Sequence, residues 1–321
     1  MATPLEKEVG KVLCVGLACV DFVNVIGQFP QEDSDQRGLK YYWQRGGNAA
    51  NNSTVLSLLA VPVEFMGVLG NAGAEACWIQ EDFSAMGIDT SHCVMESCLC
   101  PVSTCILCQT TGSRTILHYP RDQPKLTYRA FHEKLKRNFS AYAQVHFELG
   151  SNVQDYELMM EDVLSYNTSL GTSLKQPVVI SLEIEKPDIS NSEAVMSKAD
   201  IVFISKDFAS IQGFEDPVSA VKGLYNHCHK GAVLICAWAE LGAAAKFKDE
   251  VLTASALTGV NAVDTLGAGD TFVAGFIGHA LKKRKSSGLD SSIIRDSLEF
   301  GCQLAGRKCS MYGYNGLKEF W

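Results

Sequence analysis

No stretch of the 321 residues is long and apolar enough to read as a membrane span. The nearest, Val12 to Ile26, is interrupted by Asp21. Met1 to Lys11 carries Glu6, Lys7 and Glu8, with no apolar core behind a basic start, so it does not read as a secretion signal. A cytoplasmic protein is expected, with its twelve cysteines mostly reduced. Positive charge is also in short supply. Lys and Arg total 28 against 36 Asp and Glu, a net charge of −8, which does not favour a nucleic-acid backbone. Phosphate ligands stay open, because a site can be locally positive on an acidic chain. The one basic run, Lys282 to Lys285, suits the last turn of a helix, where cations favour the dipole. The sequence has no internal repeat, no low-complexity tract and no Pro-, Gly- or Ser-rich linker. What remains is ordinary globular composition, on a chain long enough to bury a large core without disulfides.

Lys11 to Leu17 is a near-continuous apolar run, as in a strand buried on both faces. Val20 to Ile26 and Leu39 to Arg45 read as extended, with a polar turn from Phe29 to Ser34 between them. Gly46-Gly47 opens a helix, Asn48 to Leu59. Val63 to Met66 reads as a strand and Ala74 to Met86 as a helix stopped by Gly87. Val102 to Cys108 and Arg114 to Tyr119 alternate with period two around Thr110-Thr111-Gly112-Ser113, which reads as a hairpin. A helix over Arg129 to Asn138 follows. Strands near 143–149, 178–184, 200–205 and 232–237 then alternate with helices near 153–166, 190–198, 216–228, 268–284 and 290–309. Such alternation implies a parallel sheet with helices on both faces. The extended pieces at 19–45 and 98–121 fall outside it and read as a small added β-sheet.

The strongest chemical signal is Asp264-Thr265-Leu266-Gly267-Ala268-Gly269-Asp270-Thr271-Phe272. Helical spacing follows it, at Phe272, Val273, Phe276, Ile277, Ala280 and Leu281. Gly267-Ala268-Gly269 therefore lies at a helix N-terminus, with Asp270 in the first turn. Unpaired amides and the helix dipole favour an anion there, and small residues allow close approach. A carboxylate in that turn is expected to stay ionised and able to accept a proton. An anion hole beside such a base is what phosphoryl transfer to a hydroxyl needs. The string is neither a Walker motif nor a dinucleotide fingerprint. Taken alone, Gly-x-Gly-Asp would also fit a plain Gly-rich turn before a helix.

The nine-residue string resembles the C-terminal signature of the ribokinase-like (PfkB) carbohydrate kinases. Trp43-Gln44-Arg45-Gly46-Gly47-Asn48-Ala49-Ala50-Asn51 resembles their N-terminal sugar-binding signature. Leu13 to Leu17, Thr54 to Leu59, Gly112 to Leu117, Val202 to Asp207 and Cys236 to Glu240 extend the similarity to nearly the whole chain. Within the family, the chain is most similar to the members that phosphorylate a ketohexose.

The resemblance implies an α/β ribokinase-like three-layer fold spanning 1–321, with a central, mostly parallel sheet and a β-sheet lid at 19–45 and 98–121. It implies ATP-dependent phosphorylation of D-fructose at the 1-hydroxyl. ATP with Mg²⁺ is implied, K⁺ is a candidate accessory ion, and a homodimer would form through the lid. Asp270 would be the general base, and Gly267, Ala268 and Gly269 the anion hole. Asp21, Gly47, Asn48 and Asn51 would bind the ketose, with Asp270 among them. Asp33 would reach the partner's site. Arg114, Ala239, Glu240, Leu241 and Gly242 would serve the nucleotide. Without the resemblance, Asn48 reads as a helix cap, Asp21 as a polar break in an edge strand, Asp33 as a turn residue and Arg114 as a solvated loop arginine.

Two departures stand out. Leu241 replaces an acidic residue usual in the ketose kinases, and Ala50 replaces a common serine. Ser205-Lys206-Asp207-Phe208 also lacks the Asn-x-x-Glu motif of many relatives, as the ketose kinases do, so the metal environment has no assigned protein ligand. Cys98, Cys100, Cys105 and Cys108 cluster in sequence, but their alternation on strands suits reduced thiols better than a zinc site. The residues leave open a kinase of this fold for another sugar or a nucleoside. They also leave open a sugar-binding paralogue with weak catalysis.

Overall fold

The computed structural model describes residues 10–171, 176–284 and 288–320. Glu6, Lys7 and Glu8, on which the reading against a secretion signal rests, and Lys285 of the basic run lie outside them. The chain begins β1 (Lys11–Val15), β2 (Cys19–Ile26), β3 (Lys40–Gly46), α1 (Asn48–Leu58), β4 (Val63–Met66), β5 (Val68–Ala72) and α2 (Ala74–Ala85). Next come β6 (Val94–Leu99), β7 (Val102–Cys108), β8 (Arg114–Tyr119), α3 (Tyr128–Leu135), β9 (Tyr142–Glu148) and α4 (Val153–Ser169). Then follow β10 (Val179–Ile184), α5 (Ser192–Met196), β11 (Ile201–Ile204), α6 (Lys206–Ile211), α7 (Pro217–Leu224) and β12 (Val233–Ala237). The described chain closes with β13 (Ala243–Phe247), β14 (Glu250–Ala254), α8 (Ala268–Lys283), α9 (Ser291–Cys309) and a 3₁₀ turn at Asn315–Phe320.

The main sheet has the order β14-β13-β12-β11-β10-β9-β1-β4. Pairing is parallel from β12 to β4, while β13 and β14 are antiparallel. One apolar cluster packs α1, α8 and α9 side chains on one face of the sheet, including Leu56, Phe276 and Leu298. Another packs α3, α4 and α7 on the opposite face, including Phe131, Met159 and Val221. The expected three-layer α/β architecture is present. The chain starts at β1, places β4 on one side and returns with β9 on the other. Strand order thus reverses between β1 and β9, and in open α/β sheets ligands bind in the crevice beyond such a switch point.

A second sheet, β3-β2-β7-β8, stands apart from the first. It contains the expected hairpin, with β7 and β8 paired antiparallel. Its boundary differs from the expected 98–121 segment. Cys98 and Leu99 lie on β6, which pairs with β5 in a sheet of its own, so this part of the second sheet begins at Val102. β2 is flanked on both sides, by β3 and β7, so Asp21 is not on an edge strand. The β13–β14 hairpin and α6 carry no clear sequence signal. Ala-Ala-Ala-Lys-Phe lacks period-two alternation, and alanine is a poor strand former.

Phe276 is fully buried on α8 and meets Phe203 of β11 edge-on at 5.5 Å. Phe276→Ala should cost roughly 3–5 kcal/mol by removing buried surface and leaving a cavity. A urea titration should give a lower midpoint with an unchanged slope.

Candidate active site

A cavity of about 940 Å³ opens at the carboxyl ends of the parallel strands, between the two sheets. Asp21, Gly47, Asn48 and Asn51 line one end of it. Gly267, Ala268, Gly269 and Asp270 line its floor, and Arg114, Ala239, Glu240 and Gly242 its other end. Leu241 does not line it and is 54% exposed. Asp33 is exposed, in a left-handed conformation at φ 57°, and does not line it either.

Gly267 caps α8 at φ 76°, a conformation that favours glycine, and no side chain caps the helix. Its first turn is therefore not closed off by a side chain of its own. Asp270 follows in that turn, 8% exposed. Its carboxylate accepts a hydrogen bond from the Asn51 amide at 2.6 Å, and its backbone carbonyl accepts one from Asn52 at 3.0 Å. The N-terminal turns of α1 and α8 are thereby tied together. The expectation that Asp270 simply stays ionised needs correction. Burial, followed by the neighbouring Glu183 carboxyl, pushes its pKa well above the usual carboxylate range, against the Asn51 hydrogen bond. Helix position alone does not reveal a second carboxyl brought in from another strand.

Asn48 is not the cap of α1; Gly47 is, with φ 94°. The Asn48 amide instead donates to Glu183 at 3.0 Å. Asp21 is buried beside Gly46, where a Cβ would fall 2.3 Å from its carboxylate oxygen, so any larger residue would have to displace that carboxylate. Burial raises the Asp21 pKa to about 6, opposed by hydrogen bonds from Ser103 and Cys19.

Sequence reasoning missed Glu148, Glu183, Glu185 and Lys186, all of which line the cavity. Glu148 ends β9 and accepts the backbone N–H groups of Leu17 and Ala49, both at 2.9 Å. It thus supplies from a distant strand the capping acceptor that Gly47 cannot. Glu183 pairs in register with Glu148 across β10 and β9. The available signal was a charged residue at the carboxyl end of an otherwise apolar buried strand.

At the far end, Arg114 reaches from β8 to Thr265, with Nη1 3.5 Å from the hydroxyl. Lys206 lies 4.0 Å from Glu240. With Lys186, these cations stand among Glu185, Asp207 and Glu240 on the cavity lining, whereas Asp21, Glu183 and Asp270 belong to the other end. Behind the loop, Asp264 and Lys308 form an ion pair at 2.6 Å with both side chains fully buried. Asp264 also accepts the N–H groups of Leu266 at 2.9 Å and Gly313 at 3.1 Å.

The fold is the ribokinase-like one. The structure superimposes on ribokinase from Giardia lamblia with a TM-score of 0.79 at 15% identity, covering 96% of this chain and 95% of that one. Fructokinase with bound ATP from Xylella fastidiosa gives 0.72 at 17% identity, over 96% and 94%. The chain belongs to the pfkB family of carbohydrate kinases, which it matches over residues 9–317. Ketohexokinase of Mus musculus is 40% identical over 309 residues, 96% of this chain and 98% of that protein.

Lys308→Met leaves the Asp264 carboxylate buried without its cation and should destabilise the fold by about 3–5 kcal/mol. Asp264→Asn combined with Lys308→Met should recover part of the loss. Urea midpoints of the two single variants and the double variant test this; strictly additive losses would contradict the pairing.

Proposed function

We propose that this chain transfers the γ-phosphoryl group of ATP to the 1-hydroxyl of D-fructose, giving fructose 1-phosphate and ADP. One observation carries the reading. Asp270 and the uncapped α8 N-terminus face the same cavity as Asp21, Asn48 and Asn51, in a chain 40% identical to a ketohexokinase over almost its full length.

Asp21, Gly47, Asn48 and Asn51 hold the ketose, since carboxylates and amides together match the donors and acceptors of sugar hydroxyls. Asp270 takes the proton of the 1-hydroxyl as its oxygen bonds to the γ-phosphorus and the bond to the β-phosphate oxygen breaks. A positioned base of this kind contributes about 10²–10⁴-fold. The backbone of Gly267, Ala268 and Gly269 faces the negative charge of the transferring group. Arg114 binds phosphate oxygens, and Ala239, Glu240 and Gly242 form the nucleotide wall. Leu241, exposed and off the cavity lining, is left out of that wall.

Mg²⁺ enters with ATP as part of the nucleotide substrate, and K⁺ is kept as a candidate accessory ion. Among the described residues no group of three or more His, Cys, Asp or Glu stands together as a metal cage. No helix among them is long and apolar enough to cross a membrane, and we read the enzyme as cytoplasmic. The second sheet acts as a lid and clasps a second copy. Its exposed Leu39, Tyr41, Ile116, Leu117 and Tyr119 support that role, and exposed Asp33 then serves the partner's site.

Turnover of ATP on ketoses, aldoses and adenosine tests the reading. Fructose should be the preferred acceptor, and Asp270→Asn should lower kcat by ~10²–10⁴-fold. Turnover confined to another acceptor would replace the substrate. Sugar binding without turnover would make the chain a binding paralogue.

The pH profile is a second test. Asp270 must be ionised to act, so kcat/KM should rise with pH through its raised pKa. Glu183→Gln removes a negative neighbour while keeping an acceptor for Asn48, so the acid limb should move to lower pH. An unmoved limb would show that Glu183 does not set it.

A further inference from the structure

A second, smaller cavity of about 310 Å³ lies at the free edge of β3, outside the site described above. Its size is at the lower end for small-molecule sites, which run roughly 300–1,000 Å³. Tyr42, Gln44, Arg45, Trp78, Tyr312 and Tyr314 line it. Five buried polar atoms of these residues have no hydrogen-bond partner: the Tyr42 hydroxyl, Gln44 Oε1 and Nε2, Arg45 Nε and the Tyr314 hydroxyl. Gln44 is 7% exposed and Arg45 3%. Such orphaned groups are costly in a folded protein and ask for an explanation.

We propose that this cavity is a binding site for a neutral polyhydroxy compound of monosaccharide size. A carboxamide presenting both a free donor and a free acceptor matches the vicinal hydroxyls of a sugar or polyol. Aromatic walls suit the apolar C–H face of the same molecule. Charge argues for a neutral ligand. Arg45 is already paired with Asp82 at 2.5 Å and also donates to Thr54, and Lys40 lies over the Tyr312 ring at 4.2 Å.

The wall of this cavity is also the back of the catalytic loop. A Cβ on Gly267 would fall onto the Tyr314 hydroxyl, and Gly313 donates its N–H to Asp264. Gln44 is the cross-strand neighbour of Asp21. A ligand here therefore touches residues adjoining both the anion hole and the sugar end.

The test is a fluorine NMR titration of the full chain labelled with 5-fluorotryptophan, without nucleotide, using D-fructose, D-glucose and D-sorbitol as probes. Trp78→Phe assigns the Trp78 signal. At least one probe should shift that signal saturably. The apparent affinity should fall tenfold or more in Gln44→Leu, which removes the amide, and in Met86→Phe, which narrows the cavity. Asn48→Ala, in the first site, should leave the shift in place. Circular-dichroism melting shows that each variant is folded. No saturable shift with any probe would mean that ordered water alone fills the cavity. A shift that survives both cavity variants, or vanishes in Asn48→Ala, would place binding elsewhere. Either result overturns the proposal.

Discussion

Asp21, Glu148, Glu183 and Asp270 are buried around one cavity, and the surroundings are arranged to keep four carboxyl groups there. Burial of such groups is unfavourable unless each finds donors. The first turn of α1 and its entrance supply most of them. Leu17 and Ala49 donate backbone N–H groups to Glu148, Asn48 donates to Glu183, and Asn51 to Asp270. The positive end of a helix thus points into the acidic group, where its dipole is most favourable. The donors only partly offset the cost of burial. Glu183 lies opposite Glu148 in register, and the pKa values of both are raised, chiefly by burial. Both of these carboxyls sit close to the residue proposed as the base.

What was legible in the sequence was local. Gly46-Gly47 before α1 and Gly267-Ala268-Gly269 before α8 announce helix starts that need bare backbone, so two walls of the cavity could be read from short strings. The alternation of apolar strands with helices carried the sheet. Glu148 and Glu183 were not legible, because neither stands in a recognisable string. Their roles come from β9 and β10 lying side by side and from α1, far away in sequence. Asp270 was found by its context, but its pKa is raised first by burial and then by Glu183 from another strand, so a reading of its own helix misjudged it. β13 was missed for a different reason: its alanines are held by tertiary pairing between β12 and β14 rather than by any strand preference of their own.

The glycine strings also explain how two sites can share one wall. β3 runs from Lys40, at the second cavity, to Gly46 beside Asp21. A strand only seven residues long therefore lines the second cavity and ends, at Gly46, against Asp21, which lines the first. A strand is stiff along its length, so a shift at one end is carried to the other more readily than through a loop.

The buried Asp264–Lys308 pair makes the same point for the opposite wall. Stability alone is a weak reason for such a pair, since apolar residues of equal volume often serve as well. Asp264, however, also receives the N–H groups of Leu266 and Gly313. An apolar replacement would leave both amides without an acceptor, each a cost of about 1–3 kcal/mol. The carboxylate therefore fixes geometry: it holds the loop before α8, the end of α9 and the segment carrying Tyr314 on one group. Lys308 supplies the charge that lets the carboxylate stay there. The loop before α8 and the wall of the second cavity are consequently tied to one buried side chain.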